Sequence, residues 1–225
     1  MIEIVLASNN KKKIAELGTL LSSAASKGIS VLSLRDIGFT GDIVEDGESF
    51  EENAIIKASV PASMGYIGIA DDSGLCVDAL GGVPGIFSAR YAGEDADDVK
   101  NRRKLLEELA DVSDEDRTAR FVCTAALVLP PDSPFTVPED WRIPDELAER
   151  RGLDPRRAMV VRGECEGVIL REEHGDGGFG YDPLFYFPAF EATFAEIPGE
   201  QKNLVSHRGR AMREFTARLA AILKE

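Results

Sequence analysis

Ile2-Glu3-Ile4-Val5-Leu6-Ala7-Ser8-Asn9-Asn10-Lys11-Lys12-Lys13-Ile14 opens the chain with a short apolar run that turns abruptly polar. Beyond it Ile14, Leu17, Leu20 and Leu21 recur at helical spacing, Gly28 stops the pattern, and Ile29 to Leu34 reads as a second strand. Strand, helix, strand implies a right-handed crossover and a partly parallel sheet, hence an α/β fold. Working outward, Ser49-Phe50-Glu51-Glu52 is a capping box that predicts a helix from about Phe50 to Val60. Tyr66 to Ala70 reads as a buried strand ending on Asp71-Asp72-Ser73-Gly74. Asp97 to Leu109 reads as an amphipathic helix with Val99, Leu105, Leu106 and Leu109 inward. Arg120 to Leu129 and Met159 to Leu170 are strand-like, and Ala211, Phe215, Leu219 and Ile222 mark a C-terminal helix.

Between the last two strands, Pro130 to Ala158 holds six of the eleven prolines and the sole tryptophan, Trp141. Residues 130–158 read as a Pro-rich surface insertion with one short helix, Pro144 to Arg151, that has proline at its first position. The 225 residues suit one large domain or two joined lobes.

The net charge of −14 argues against a broad basic face for nucleic acid but allows a small anionic ligand where basic residues converge. Three scattered cysteines, Cys76, Cys123 and Cys165, with two histidines predict reduced thiols in a cytoplasmic protein and no zinc site. The N-terminus turns polar too soon for a signal peptide, and no apolar run is long enough to span a bilayer.

Lys11, Lys12 and Lys13 stand at a predicted helix N-terminus, where cations oppose the helix dipole unless an anion joins them. The alternative is a solvated basic turn, and the glycine spacing of a P-loop is missing. Asp71 and Asp72, adjacent carboxylates at an expected strand end, suit magnesium binding and water activation, or else an Asx turn. Extended backbone makes their side chains diverge, so one of the two is expected to face a site. Glu45-Asp46-Gly47 in isolation is an acidic turn. Gly175 to Gly180 formally matches G-x-G-x-x-G, but Tyr181-Asp182-Pro183 follows instead of a helix. A loop presenting Phe179 to a base is the better reading. Lys202, His207 and Arg208 gather donors around the start of the last helix, as a ligand site or as surface charge.

Six motifs occur in order: Ser8 to Lys13, Glu45 to Ala54, Ala70 to Leu75, Pro84 to Tyr91, Gly178 to Pro183 and Ser206 to Gly209. Together they resemble the inosine triphosphate pyrophosphatase family, the non-canonical purine NTP pyrophosphatases, from about Ile4 to Phe215 apart from the insertion. The resemblance implies an elongated α/β fold of two lobes around a long, curved mixed sheet flanked by helices, with the active site in the cleft between lobes. It implies hydrolysis of ITP, dITP and XTP to monophosphate and pyrophosphate, a Mg²⁺ requirement and a homodimer. By motif position, Ser8, Asn9, Asn10, Lys11, Lys12 and Lys13 would cradle the triphosphate, with Lys57 adding a phosphate contact. Glu45 and Asp72 would hold magnesium, and Asp72 would also accept the proton of the attacking water. Ser73, Phe179, Gly180, Tyr181, Asp182, Lys202, His207 and Arg208 would hold the nucleotide, with Asp71 in support. Two departures stand out: Asn9 and Lys12 occupy a loop that carries a glycine in many relatives, and the insertion is longer than the family leads one to expect. The rivals are a pyrophosphatase of modified pyrimidine nucleotides, as in the distantly similar Maf-type proteins, and a non-catalytic nucleotide sensor.

Overall fold

The structure, a computed structural model, describes residues 2–8, 14, 28–93 and 97–224. The expected first helix and the Asn9 to Lys13 turn lie outside the described residues. Among those described, seven strands form one mixed sheet in the order β2-β1-β3-β4-β5-β6-β7. The strands are β1 (Ile2–Leu6), β2 (Ile29–Ser33), β3 (Ile67–Val77), β4 (Thr118–Val128), β5 (Ala158–Ile169), β6 (Phe185–Phe187) and β7 (Ala192–Thr193). β1 runs parallel to both β2 and β3, while β6 is antiparallel to β5 and to β7. The helices are α1 (Phe50–Ser63), α2 (Asp98–Glu108), α3 (Asp145–Arg151), α4 (Gly199–Val205) and α5 (His207–Ile222). The α/β class read from the opening strands is what the chain adopts.

The chain divides into two compact units. The first comprises Met1–Asp72, Thr124–Val161 and Ala211–Glu225. In it, alternate strand residues Ile4 and Leu6, Ile67 and Ile69, Ala125 and Leu127, and Met159 and Val161 pack with Met212, Phe215, Leu219 and Ile222 of α5. The intervening residues Ala70, Ala126, Val128 and Ala158 pack with Ala54, Ile55, Ala58 and Ala62 of α1 and with Leu147 and Ala148 of α3. Period-two alternation thus fills both faces, so β4 is buried without a break from Val122 to Val128, all of it apolar except Thr124. The Pro-rich segment is more than surface: Val137, Ile143 and Ala148 are buried, and α3 shares a core with α1. Its helix begins one residue later than expected, with Pro144 as the N-cap.

The second unit comprises Ser73–Cys123 and Arg162–Arg210. Leu75, Val77, Phe121, Cys165, Phe185 and Phe194 pack with Leu105 of α2 and with Leu109, its C-cap. The buried face of α2 is Asn101 and Leu105, continued by the C-cap Leu109, whereas Val99, expected inward, is 62% exposed. Asn101 takes the inward place because all its polar atoms find backbone partners. Its amide donates to the Ser88 and Ala89 carbonyls, and its Oδ1 accepts from Ala92 N–H. Arg117 is buried likewise, its guanidinium donating to the carbonyls of Leu109, Ile169 and Leu170 at 2.7–3.0 Å.

Candidate active site

β3 corrects the expected placement of the paired aspartates. The strand does not stop at Ala70 but runs on to Val77, so Asp71 and Asp72 lie within it and neither a strand end nor an Asx turn describes them. Adjacent strand residues point to opposite faces, and Asp72 is the one that meets α1.

α1 is placed by its start. Ser49 Oγ accepts from Glu52 N–H, and the Glu52 carboxylate reaches back to Glu48 N–H at 2.7 Å. The capping box is therefore present, closed one residue earlier than its usual reciprocal bond. Asn53 Oδ1 accepts from Gly47 N–H at 2.9 Å. A Cβ on Gly47 would stand 2.7 Å from that oxygen, so only glycine lets the turn lie so close to the helix. On the other side, a Cβ on Gly68 of β3 would meet the Ala58 carbonyl at 1.9 Å. This close approach of strand to helix brings Lys57 within reach of Asp72.

Lys57 Nζ donates to Glu45 Oε2 at 2.8 Å and to Asp72 Oδ1 at 2.7 Å. Asn53, one turn before Lys57 on the same helix face, lies near enough to the Asp72 carboxylate to favour its charged form. Burial raises the Asp72 carboxyl above its ordinary value, against the opposing pull of the Lys57 ammonium. Lys57 is itself raised, because Asp72 and Glu45 outweigh the cost of burying its charge. The ammonium acts here as a stand-in cation: oxygens from a loop and a strand already converge on one positive centre. A hard divalent ion such as Mg²⁺ suits that donor set, since it takes one or two carboxylates and completes its shell with water and phosphate oxygens. No group of three or more His, Cys, Asp or Glu suited to a metal occurs among the described residues. Ser8 follows β1, where Ala7 N–H bonds the Ile69 carbonyl of β3.

The second unit holds the remaining set. Asp182, 2% exposed, accepts from Phe179 N–H at 2.9 Å and from Lys202 Nζ at 2.5 Å through the same Oδ2. Gly178 has φ +74, and a Cβ there would strike Asp182 Oδ2 at 2.2 Å, so the glycine is required twice over. Lys202 Nζ lies 4.8 Å from the Phe179 ring centroid and 5.2 Å from that of Phe194. Phe179 is 75% exposed, a ring open to solvent on a pinned backbone. The pinning extends to Gly180, whose N–H bonds Asp98 Oδ2 and whose carbonyl accepts from Arg102. His207 stacks on Phe121 at 4.8 Å, and Arg208 follows it in the first turn of α5. Tyr181 is committed to the core: its hydroxyl donates to the Ser88 carbonyl, and burial pushes its pKa up. Ser73 is exposed on β3.

The Glu45, Lys57 and Asp72 geometry gives the ordered motifs a physical meaning, and comparison with known proteins agrees with it. A model of the Ham1 family matches residues 4–218. The chain belongs to the Ham1 family. A dITP/XTP pyrophosphatase of Desulforamulus reducens is 46% identical over 215 residues, 95% of this chain and 93% of that protein. One of Bacillus licheniformis is 42% identical over 220 residues, 97% of this chain and 98% of that protein. The Ham1 protein structure of Coxiella burnetii superposes with a TM-score of 0.82 at 39% identity, covering 98% of this chain and all of that one (100%). That of Staphylococcus aureus gives 0.80 at 36% identity, covering 97% and 98%. The family resemblance drawn from the six motifs is thereby established, as is the α/β fold with its mixed sheet flanked by helices.

Sequence reasoning missed Asn53, Asp98 and Arg102. Asn53 carried a signal, standing four residues before Lys57 on the same helix face. Asp98 and Arg102 reach Gly180 across some eighty residues, which no local pattern discloses.

Proposed function

We infer that this chain hydrolyses non-canonical purine nucleoside triphosphates (ITP, dITP and XTP) to the monophosphate and pyrophosphate. The observation that carries the reading is the convergence of Glu45 and Asp72 on one cation at 2.8 and 2.7 Å, in a family whose relatives are named dITP/XTP pyrophosphatases. We assign the phosphate chemistry to the residues of the first unit and the reading of the base to those of the second.

Glu45 and Asp72 would hold Mg²⁺, with Asp71 in support. When bound, the ion supplies positive charge to a substrate carrying about four negative ones. Asp72, made more basic by burial, takes the proton of a water whose oxygen bonds the α-phosphorus. The α–β bridging bond breaks and its electrons leave with pyrophosphate. Lys57, with Ser8, Asn9, Asn10, Lys11, Lys12 and Lys13, supports the phosphate charge. Phe179 offers a face for the purine, and Lys202, His207 and Arg208 offer donors to a 6-keto oxygen. Adenine presents a 6-amino donor at that place and would leave those donors unmatched, which discriminates strongly. A homodimer and a cytoplasmic location belong to the same reading. No helix among the described residues is long and apolar enough to cross a membrane.

The test is product analysis with ITP, dITP, XTP, GTP, ATP and dTTP, with and without Mg²⁺. The expected result is monophosphate and pyrophosphate from the first three, only with Mg²⁺. Preference for a pyrimidine triphosphate, or binding without turnover, would replace this function with one of the two rivals.

A further inference from the structure

The turn before α1 is crowded with charge. Glu45, Asp46, Glu48, Glu51 and Glu52 place five carboxylates in eight residues, yet the candidate cation site uses only the first of them. Three of the others meet the end of α3, the helix inside the Pro-rich insertion. Arg151 Nη2 lies 3.2 Å from Glu52 Oε2 and its Nη1 lies 3.4 Å from Asp46 Oδ1. Arg150 Nη1 lies 3.1 Å from Glu52 Oε1 and 3.7 Å from Glu48 Oε2. Glu52 is 1% exposed, and it holds Glu48 N–H as well as both guanidinium groups. Its carboxyl is kept below the ordinary range despite the opposing cost of burial, by Glu48 N–H and then by Arg151 and Arg150. The placement suits both helices, since Arg150 and Arg151 sit in the last turn of α3 and Glu52 in the first turn of α1.

We propose that Arg150 and Arg151 are positioning residues for the Glu45–Asp72 pair. They tie down the turn that carries Glu45 and engage Asp46, Glu48 and Glu52, directing a divalent cation to Glu45 and Asp72. Glu45 immediately precedes Asp46, which Arg151 holds, and stands two residues before Gly47, which Asn53 holds. Its backbone is thus fixed from the side of the insertion and from the side of α1. Without the arginines the turn keeps its bonds to Asn53 and Glu52 and the Glu45 bond to Lys57, and its carboxylates compete for the ion. The insertion, which looks like decoration in the sequence, then acts on the chemistry through Glu45. This role rests on the reading of Glu45 and Asp72 as a cation site.

The experiment compares the parent with R150A/R151A, R151A, R150K/R151K and E45Q. It measures Mn²⁺ binding to the nucleotide-free protein by calorimetry, the Mg²⁺ midpoint for pyrophosphate release from ITP, and the thermal midpoint in EDTA. The double alanine variant is expected to weaken Mn²⁺ binding and raise the Mg²⁺ midpoint by about tenfold, the low end for outer partners of a metal ligand. Turnover recovers at saturating Mg²⁺. The double lysine variant falls between, keeping the charge but not the planar fork. Should the double alanine variant fail to fold, R151A alone is expected to give a shift of about threefold, in keeping with a partly exposed pair. Unchanged Mn²⁺ and Mg²⁺ dependence in folded arginine variants, while E45Q loses both, overturns the positioning role and leaves the site standing. A parent that binds no Mn²⁺, together with an E45Q variant as active as the parent, overturns the cation site and the positioning role together.

Discussion

Lys57 and Lys202 are both partly buried lysines fixed by aspartate, yet their surroundings differ in kind. Lys57 stands on a 14-residue helix with a core beneath it and bonds two carboxylates, one from a turn and one from a central strand. Lys202 stands on a seven-residue helix, bonds one carboxylate and lies beside two aromatic rings, of which Phe179 is largely exposed. The first arrangement concentrates charge on rigid elements and suits an ion with polyphosphate. The second joins one donor to an apolar plane and suits a flat heterocycle with a polar edge. The difference teaches that a lysine's neighbours, more than its charge, indicate what it can recognise.

The largest expected effect breaks the first arrangement. Asp72→Asn keeps the side chain's shape but removes the proton acceptor and weakens the hold on a cation. ITP turnover should fall by about 10²–10⁴-fold with the fold retained, as circular dichroism would check. A folded variant that turns over ITP at nearly the parental rate would exclude Asp72 from the chemistry.

How far the sequence disclosed this comparison depends on the residue. The ordered motifs and the capping box made α1, Glu45 and Asp72 legible, because cap chemistry and family motifs are local. The course of β3 was not, since the apolar pattern lapses at Asp71-Asp72-Ser73 while the strand's backbone continues regardless of what its side chains face. Val99 misled for a related reason: the inward place belongs to Asn101, whose backbone partners on the Ser88 to Ala92 segment leave no trace in an apolar pattern. In the sequence Arg150 and Arg151 are only the last residues of a short expected helix. Their partners lie about a hundred residues away and become visible only when α3 is seen to share a core with α1.

The next effect addresses the second arrangement. Lys202→Met removes the donor while keeping a long apolar stem, and leaves Asp182 buried without its cation. kcat/KM for ITP should drop by about 10- to 100-fold, in line with the loss of a charged hydrogen-bond partner. ATP should lose less. Equal losses for both nucleotides would move Lys202 from base recognition to phosphate binding or structure.

Phe179→Ala should do less, because the ring is exposed and its backbone N–H still bonds Asp182. A lost stacking contact of about 0.5–1.5 kcal/mol corresponds to a KM increase of roughly two- to twelvefold, with kcat little changed. Steady-state kinetics with ITP would check it, and a fall in kcat at constant KM would argue for a role in holding the loop. Smallest of all, Arg208→Ala should narrow the ITP-to-ATP ratio of kcat/KM by about two- to tenfold, the worth of one donor to a neutral acceptor. A uniform loss toward every nucleotide would take Arg208 out of base reading.

The most direct measurement is hydrolysis of ITP by the parent protein in ¹⁸O-water with Mg²⁺, followed by mass analysis of both products. With Asp72 activating a water against the α-phosphorus, one ¹⁸O enters the monophosphate and none enters the pyrophosphate. Label in the pyrophosphate, or release of orthophosphate in its place, would contradict the account at its centre.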